Sequence, residues 1–220
     1  MEKVKNKDLL HFTALAVPLL HSQGIYPLDW KLANLCLHDE KLRLIDQDML
    51  VTANQVRLSV SKDDRRFVPL GAVATYPYKY MCDASPYNGV FNPLTIRVIE
   101  AAGSLDTELY MSVTWSAVVT LLIHCAVHVA APQLANDPAG QNVFRQQMQV
   151  RIFENLSCDR IGKQSFWQLL LDRFSQIPTG IDPHFDAVLN ASKLMPAAET
   201  SSHDRQARVE NFWDILLTGV

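Results

Sequence analysis

The sequence has few cysteines, and none are close together. Cys36, Cys82, Cys125 and Cys158 are each separated from the next by more than thirty residues. Because there is no CxxC pair, the pattern indicates neither a zinc ribbon nor a disulfide framework. Isolated thiols are typical of proteins in a reducing compartment, so we expect a cytoplasmic location.

The sequence also lacks an excess of basic residues. The 20 Lys and Arg against 23 Asp and Glu give a formal net charge of −3, and the densest basic group, residues 62–66, contains acids of its own. Domains that bind nucleic acid usually carry a basic patch, so we expect no nucleic-acid partner. The first eight residues are polar, and no signal peptide is predicted.

Charged residues are missing altogether from residues 109–135. By length this run qualifies as a transmembrane candidate, but a helix that is apolar on all sides can equally be the buried centre of an α-domain. Polar residues interrupt the run and no basic cluster flanks it, so we predict a core helix and no membrane span. His124 and His128 are one helical turn apart. We predict that they are core histidines rather than metal ligands, because no acid completes a metal-binding pattern.

Four polar residues near the start of the chain have the most informative spacing. Asp29, Lys31 and Asn34 fall in one short loop, and Asp46 follows twelve residues after Asn34. Two acids, an amide and an ammonium group that meet at one place suit a divalent metal ion and a phosphate group.

A β-hairpin is predicted between Asn34 and Asp46. Its strands are expected at residues 35–37 and 42–45, with a turn at 38–41. Because a hairpin returns its second strand beside its first, we expect Asp46 to lie next to the loop that carries the other three residues.

This segment resembles the catalytic loop and metal-binding motif of protein kinases, H-R-D-x-K-x-x-N followed by a hairpin and D-F-G. The corresponding residues are Pro-Leu-Asp-Trp-Lys-Leu-Ala-Asn at 27–34 and Asp-Gln-Asp at 46–48. Residues 9–25 resemble the helix that precedes the kinase catalytic loop. Residues 113–119 resemble D-V-W-S-L-G-V, the start of the central buried helix, with Val113 in the place of the Asp.

The fold implied by this resemblance is mainly α, the helical large lobe (C-lobe) of a protein kinase with a short β-hairpin beside the catalytic loop. We expect one domain over residues 1–220. Its parts would be a catalytic loop and hairpin at 25–48, an activation-segment-like loop at 47–93, a central buried helix at about 106–131 and C-terminal helices at 140–217.

Periodicity predicts the individual elements. Amphipathic patterns indicate helices at residues 9–23, 140–155, 163–175, 185–194 and 204–217, the first ended by Gly24. Alternation of apolar residues predicts a further strand at residues 55–60.

The resemblance also implies a role for each of the four polar residues. Asp29 would accept or orient the proton of the substrate hydroxyl, and Lys31 would steady the transferred phosphoryl group. Lys at that position is typical of Ser/Thr kinases. Asn34 and Asp46 would hold Mg²⁺, with Asp46 bridging the phosphates of ATP. The implied substrate is a protein Ser or Thr hydroxyl.

Parts of the kinase pattern are missing. The eight residues before the first helix cannot encode the glycine-rich loop and strand lysine of a small lobe. Pro27 and Leu28 replace the His and Arg of H-R-D, and Gln47 and Asp48 replace the Phe and Gly of D-F-G. Two functions are consistent with the sequence. One is a phosphotransferase lobe that obtains its small lobe from another chain, and the other is an inactive, pseudokinase-like binding or scaffold module.

Overall fold

The structure is a computed structural model that describes residues 4–27, 30–39, 41–45, 50–55, 105–153, 171–195 and 202–219. These residues are mostly helical, and they include a short antiparallel hairpin, so the prediction of a mainly α protein is confirmed. The helices are α1 (Asn6–Ser22), α2 (Leu105–Ala130), α3 (Pro138–Phe153), α4 (Pro183–Ser192) and α5 (Ser202–Thr218). The strands are β1 (Tyr26–Pro27), β2 (Leu35–His38), β3 (Lys41–Leu44) and β4 (Leu50–Val51).

Helix α2 is the centre of the fold. It packs against all four other helices and against β1. Every described side chain from Leu109 to Val127 is buried. Within the described residues, the segment Leu109–Ala130 alone has the length and composition of a membrane span, and 89% of its most apolar window is buried inside the protein. That burial is what a core helix requires.

Helix α1 presents one apolar face to the core. Its buried residues are three or four positions apart, as expected for one side of a helix, and are Asn6, Leu9, Leu10, Thr13, Ala14 and Val17. The helix begins three residues earlier than predicted. Gly24 follows its end with φ of +67°, and the Gly24 N–H donates to the carbonyl of His21 at 2.8 Å. A residue with a side chain would be strained there, so Gly24 ends the helix as predicted.

The hairpin forms close to its predicted place. Strands β2 and β3 pair antiparallel, with Leu35 opposite Leu44 and His38 opposite Lys41. Asp39, in the turn, has φ of +50°, a conformation that Asp tolerates better than most residues. Leu35, Leu42 and Leu44 pack against the core. A second pair, β1 with β4, places Tyr26 opposite Val51 and Pro27 opposite Leu50. We did not predict this second pair.

The C-terminal helices complete the core around α2. Helices α3, α4 and α5 each begin two residues before the predicted start. In α5 the buried residues are Val209, Phe212, Trp213 and Leu216, which recur at helical spacing. The Trp213 Nε1–H donates to the buried Thr114 hydroxyl of α2 at 3.2 Å. The predicted helix at 163–175 is described only from residue 171, and residues 171–174 are helical.

The predicted strand at 55–60 is wrong at its first residue. Residues 53–55 are helical, and Thr52 and Gln55 form a reciprocal capping box. The Thr52 N–H donates to Gln55 Oε1 at 2.7 Å, and the Gln55 N–H donates to Thr52 Oγ1 at 3.3 Å. Such a box starts a helix. Residues 56–60, and all of the predicted loop at 47–93 except residues 50–55, lie outside the described residues.

Candidate functional site

Two of the four predicted site residues, Lys31 and Asn34, belong to the part of the chain that the structure describes. Lys31 precedes a short 3₁₀ turn, Leu32–Asn34, and Asn34 is its last residue, whose N–H donates to the Lys31 carbonyl at 3.0 Å. Lys31 is half-buried, and Asn34 is 5% exposed. Asp29 and Asp46 lie outside the described residues.

Backbone contacts bring together the chain segments that flank these two acids. The Ile45 N–H donates to the Asn34 carbonyl at 2.8 Å, so the hairpin returns beside the loop as predicted, as far as Ile45. Pro27, two residues before Asp29, pairs with Leu50 of β4. One described end of the Asp29 segment, Pro27, is therefore held against one described end of the Asp46 segment, Leu50.

Trp30 fastens the loop to the core at the position between Asp29 and Lys31. Its side chain is 1% exposed and its ring stacks on Phe12 of α1, with centroids 6.2 Å apart. Its carbonyl accepts a long hydrogen bond, 3.4 Å, from the Thr120 hydroxyl of α2, which also donates to the Ser116 carbonyl at 2.9 Å. The loop is thus attached to both α1 and α2. A tryptophan among polar loop residues was the sequence signal for this anchor, and we did not use it.

A carboxylate of α2 contacts the strand that leads into the loop. The hydroxyl of Tyr26, a residue that is 1% exposed, donates to Asp106 Oδ1 at 2.8 Å. The kinase resemblance put Val113 in the place of an anchoring Asp, and Val113 is an apolar core residue. Asp106, seven residues earlier in the first turn of α2, contacts Tyr26 of β1.

Two stacked rings lie beside this hydrogen bond. The His21 and Tyr110 rings are nearly parallel, with centroids 3.7 Å apart. Burial lowers the pKa of His21, and the carboxylates of Glu210 and Asp106 partly offset that effect. Burial also raises the pKa of the Tyr110 hydroxyl well above its usual range, with a further contribution from Glu210. At neutral pH both rings are therefore uncharged.

His124 of α2 is a second buried polar residue. Its Nε2 is 3.3 Å from the Val4 carbonyl, and its ring is 3% exposed, so the prediction of a core histidine at this position is confirmed. Burial lowers the pKa of His124 to about 3, and the nearby Arg145 guanidinium adds to the effect. His128, one turn later, is half-buried.

Metal-binding potential depends on the acids outside the described residues. Among the described residues, no group of three or more His, Cys, Asp and Glu lies close enough together to hold a metal ion. Asn34 contributes an amide oxygen, a hard ligand of the kind that Mg²⁺ accepts, and Lys31 contributes a cation suited to a phosphate. The chemistry of these two groups fits MgATP.

Comparison with known proteins identifies no relative of this chain. The chain matches no protein-family model, no curated protein and no solved structure. The kinase resemblance therefore depends on the sequence motifs of this chain alone.

Proposed function

We propose that this chain is a protein-kinase-like phosphotransferase lobe that acts on Ser or Thr hydroxyls of a protein with MgATP and takes its small lobe from another chain. The observation that carries the proposal is the pair of backbone contacts at the loop. Ile45 is bonded to Asn34, and Pro27 is paired with Leu50. These contacts support the proposal because Pro27 precedes Asp29 by two residues, Ile45 directly precedes Asp46, and each is held against the other strand or the loop.

The residues of the loop have different roles in phosphoryl transfer. Asp29 accepts the proton of the attacking hydroxyl, a task for a carboxylate within hydrogen-bond reach. The Lys31 ammonium group would stabilise the negative charge of the transferred phosphoryl group. Trp30, the residue between them in the sequence, is buried and anchors the backbone next to Lys31. Such positioning is the main contribution of a protein to phosphoryl transfer.

Two residues would hold the metal ion. Asn34 offers an amide oxygen and Asp46 a carboxylate, and Mg²⁺ in nucleotide sites takes one or two such protein ligands beside the substrate phosphates. When bound, Mg²⁺ neutralises charge on the phosphates of ATP.

A second candidate function is a non-catalytic binding module, and the burial of Asn34 favours it. A side chain that is 5% exposed can serve the loop structurally, since buried amides are normally hydrogen-bonded within the protein. In that case the kinase-like arrangement would be retained as a scaffold.

Thermal unfolding with MgATP tests the proposal. Saturation at about 100 times the dissociation constant should stabilise the chain by roughly 2.7 kcal/mol. Asp46→Asn should abolish the shift because a carboxylate ligand of the metal is lost. Asp39→Asn is the matched control. It makes the same chemical change at an exposed hairpin-turn acid and should retain the full shift.

The same measurement decides between the two functions. We expect a shift in the wild type, and a larger one when a kinase small lobe is added. If millimolar MgATP gives no shift with or without that lobe, the phosphotransferase proposal is wrong and the binding module is favoured.

A further inference from the structure

Strand β1 has little backbone support of its own. It consists of two residues that pair with the two residues of β4, and one of them, Pro27, has no N–H to donate. Isolated two-stranded ladders are marginal even at greater length. Side-chain contacts must therefore help to hold β1 in place. The position of β1 in turn determines the direction in which the chain enters the loop that carries Lys31 and Asn34.

Tyr26 supplies such a contact. Its hydroxyl donates to Asp106 Oδ1 at 2.8 Å and so joins β1 to the first turn of α2 across 80 residues of sequence. A hydrogen bond to an ionised acceptor is stronger than one between neutral groups. Because Tyr26 is 1% exposed, water does not replace Asp106 as the partner of the hydroxyl without some opening of the structure.

The ring of Tyr26 is held as well as its hydroxyl. His21, in the last turn of α1, lies against it with centroids 5.8 Å apart and at 50°. The other neighbour of His21 is Tyr110, which stacks on it at 3.7 Å. Tyr110 is one turn beyond Asp106 on α2, so one side of α2 supplies both the acceptor for Tyr26 and the support for the ring beside it.

We propose that Tyr26 and Asp106 are positioning residues, whose hydrogen bond holds β1 and, through it, the loop that carries Lys31 and Asn34. The catalytic meaning of this role rests on the proposed function, since Tyr26 and Asp106 act through the loop. The pair differs from a merely stabilising contact in one measurable way. Loss of the hydrogen bond increases local opening of the loop and leaves the protection of the rest of the core unchanged.

Hydrogen exchange of the full chain, followed by mass spectrometry, tests this inference. Tyr26→Phe removes the hydroxyl and keeps the ring. We expect exchange in residues 25–34 to become about tenfold faster, the consequence of losing one hydrogen bond to a charged group. Exchange in α4 and α5 should be unchanged. Asp106→Ala should have the same effect, whereas Asp106→Asn keeps an acceptor oxygen and should restore slow exchange.

Thr114→Val is the matched control. It removes another buried hydrogen bond of α2, the one that Thr114 accepts from Trp213, at a position away from β1. This variant should loosen α5 and leave residues 25–34 unchanged. The inference is overturned if Tyr26→Phe leaves the loop as protected as in the wild type, or if it speeds exchange equally in the loop, α4 and α5.

MgATP binding by the same variants separates this inference from the proposed function. If both hold, the wild type binds MgATP and Tyr26→Phe binds it more weakly. If the wild type shows no binding while Tyr26→Phe still loosens the loop selectively, the phosphotransferase proposal fails and the positioning role stands. If the wild type binds MgATP and hydrogen exchange of the loop is unaltered in Tyr26→Phe, only the positioning role is wrong.

Discussion

His124 of α2 and Val4, at the start of the described chain, are joined by a contact of 3.3 Å between the imidazole Nε2 and the main-chain carbonyl. The ring is 3% exposed, so the segment that leads into α1 is held by a neutral histidine inside the core. With Nε2 as the donor, Nδ1 has no hydrogen-bond partner among the described residues. A proton on Nδ1 would bring a charge into the core, and the nearby Asp182 carboxylate offsets only part of the cost.

Acid should destabilise the protein through His124. Burial lowers the pKa of His124 to about 3 in the folded chain, against about 6.5 when unfolded. Stability is therefore full above pH 6.5 and falls as the pH drops toward 3, because only the unfolded chain takes up the proton. This residue alone should lower the free energy of unfolding by about 2 kcal/mol between pH 7 and pH 5. Urea unfolding at a series of pH values measures the slope.

The informative quantity is the change in the slope of the free energy of unfolding against pH, rather than the absolute stability. His124→Gln should flatten the pH dependence by about 2 kcal/mol over that range, whatever the substitution costs at pH 7. His203→Gln, at an exposed position of α5, serves as the control and should keep the wild-type slope. A wild-type slope in His124→Gln would show that this ring does not set the acid sensitivity.

Asp182 should be one of the most sensitive polar positions. Its Oδ1 accepts the N–H groups of His184 and Phe185 at the start of α4, and its Oδ2 accepts the Asn6 side-chain amide at 2.8 Å. Asp182→Ala should lower the free energy of unfolding by roughly 2–4 kcal/mol, because it removes the helix cap and leaves a buried amide without an acceptor. Chemical denaturation checks this value.

Asp182→Asn provides the comparison. It keeps an oxygen for the two main-chain N–H groups. Its amide can donate to Asn6 Oδ1, an atom without a hydrogen-bond partner in the part of the chain that the structure describes. We expect this variant to lose less than about 1 kcal/mol, as Asn caps helices about as well as Asp. Equal losses in the two variants would mean that the cap is not the source of the stabilisation.

The features that could be predicted from sequence are those set by local pattern. The absence of charge over residues 109–135 predicted the buried helix α2, whose bounds differ from the predicted 106–131 by one residue at each end. Gly24 stops α1 because only glycine is unstrained at its φ. The hairpin followed from two short apolar runs around a polar turn, since turn geometry fixes the register of adjacent strands.

Contacts between distant segments could not be predicted in the same way. The pairing of β1 with β4 and the Tyr26–Asp106 hydrogen bond join residues brought together by tertiary packing, which local periodicity does not encode. Two local signals were overlooked. Asp182-Pro183 is a favoured helix start, and Thr52-Ala53-Asn54-Gln55 fits a capping box, which overrode the apolar alternation used to predict a strand from Gln55.

The burial of α2 predicts that the full chain stays in the soluble fraction without detergent. Its apolar surface is already covered by α1, α3, α4 and α5, so little remains to drive insertion into a bilayer. Fractionation of expressing cells followed by size-exclusion chromatography measures this. Membrane association that resists an alkaline carbonate wash would contradict the fold and the proposed function together.

A pair of leucine variants tests separately whether α2 is the packed centre of the protein. Leu121 of α2 is fully buried, whereas Leu19 of α1 is 63% exposed. In the detergent-free protein, Leu121→Ala should cost about 2–5 kcal/mol of stability, the usual cost of a core cavity. Leu19→Ala should cost less than about 0.5 kcal/mol. Similar costs at the two positions would argue that α2 is not the packed centre.

The catalytic role of Asp29 separates chemistry from binding. If Asp29 acts only on the substrate hydroxyl, Asp29→Ala should leave the melting temperature and the MgATP shift nearly intact. Transfer of labelled phosphate from ATP to a Ser/Thr protein substrate, with the small lobe added, should fall by about 10²–10⁴-fold, the usual contribution of a positioned general base. Asp39→Asn neutralises an exposed acid of the hairpin turn at a positive φ that Asn tolerates, and it should transfer at the wild-type rate.

A structural Asp29 predicts the opposite pattern for the same variant. Removal of a carboxylate that holds the loop together would leave donors unpaired and cost about 1–3 kcal/mol of stability, regardless of transfer. Both quantities are therefore measured on Asp29→Ala. A destabilised variant, together with a wild type that shows no transferase activity to lose, would rule out the catalytic assignment. A stable variant that still binds MgATP but has lost transfer would assign the proton-accepting role to Asp29, because binding and folding would both be intact.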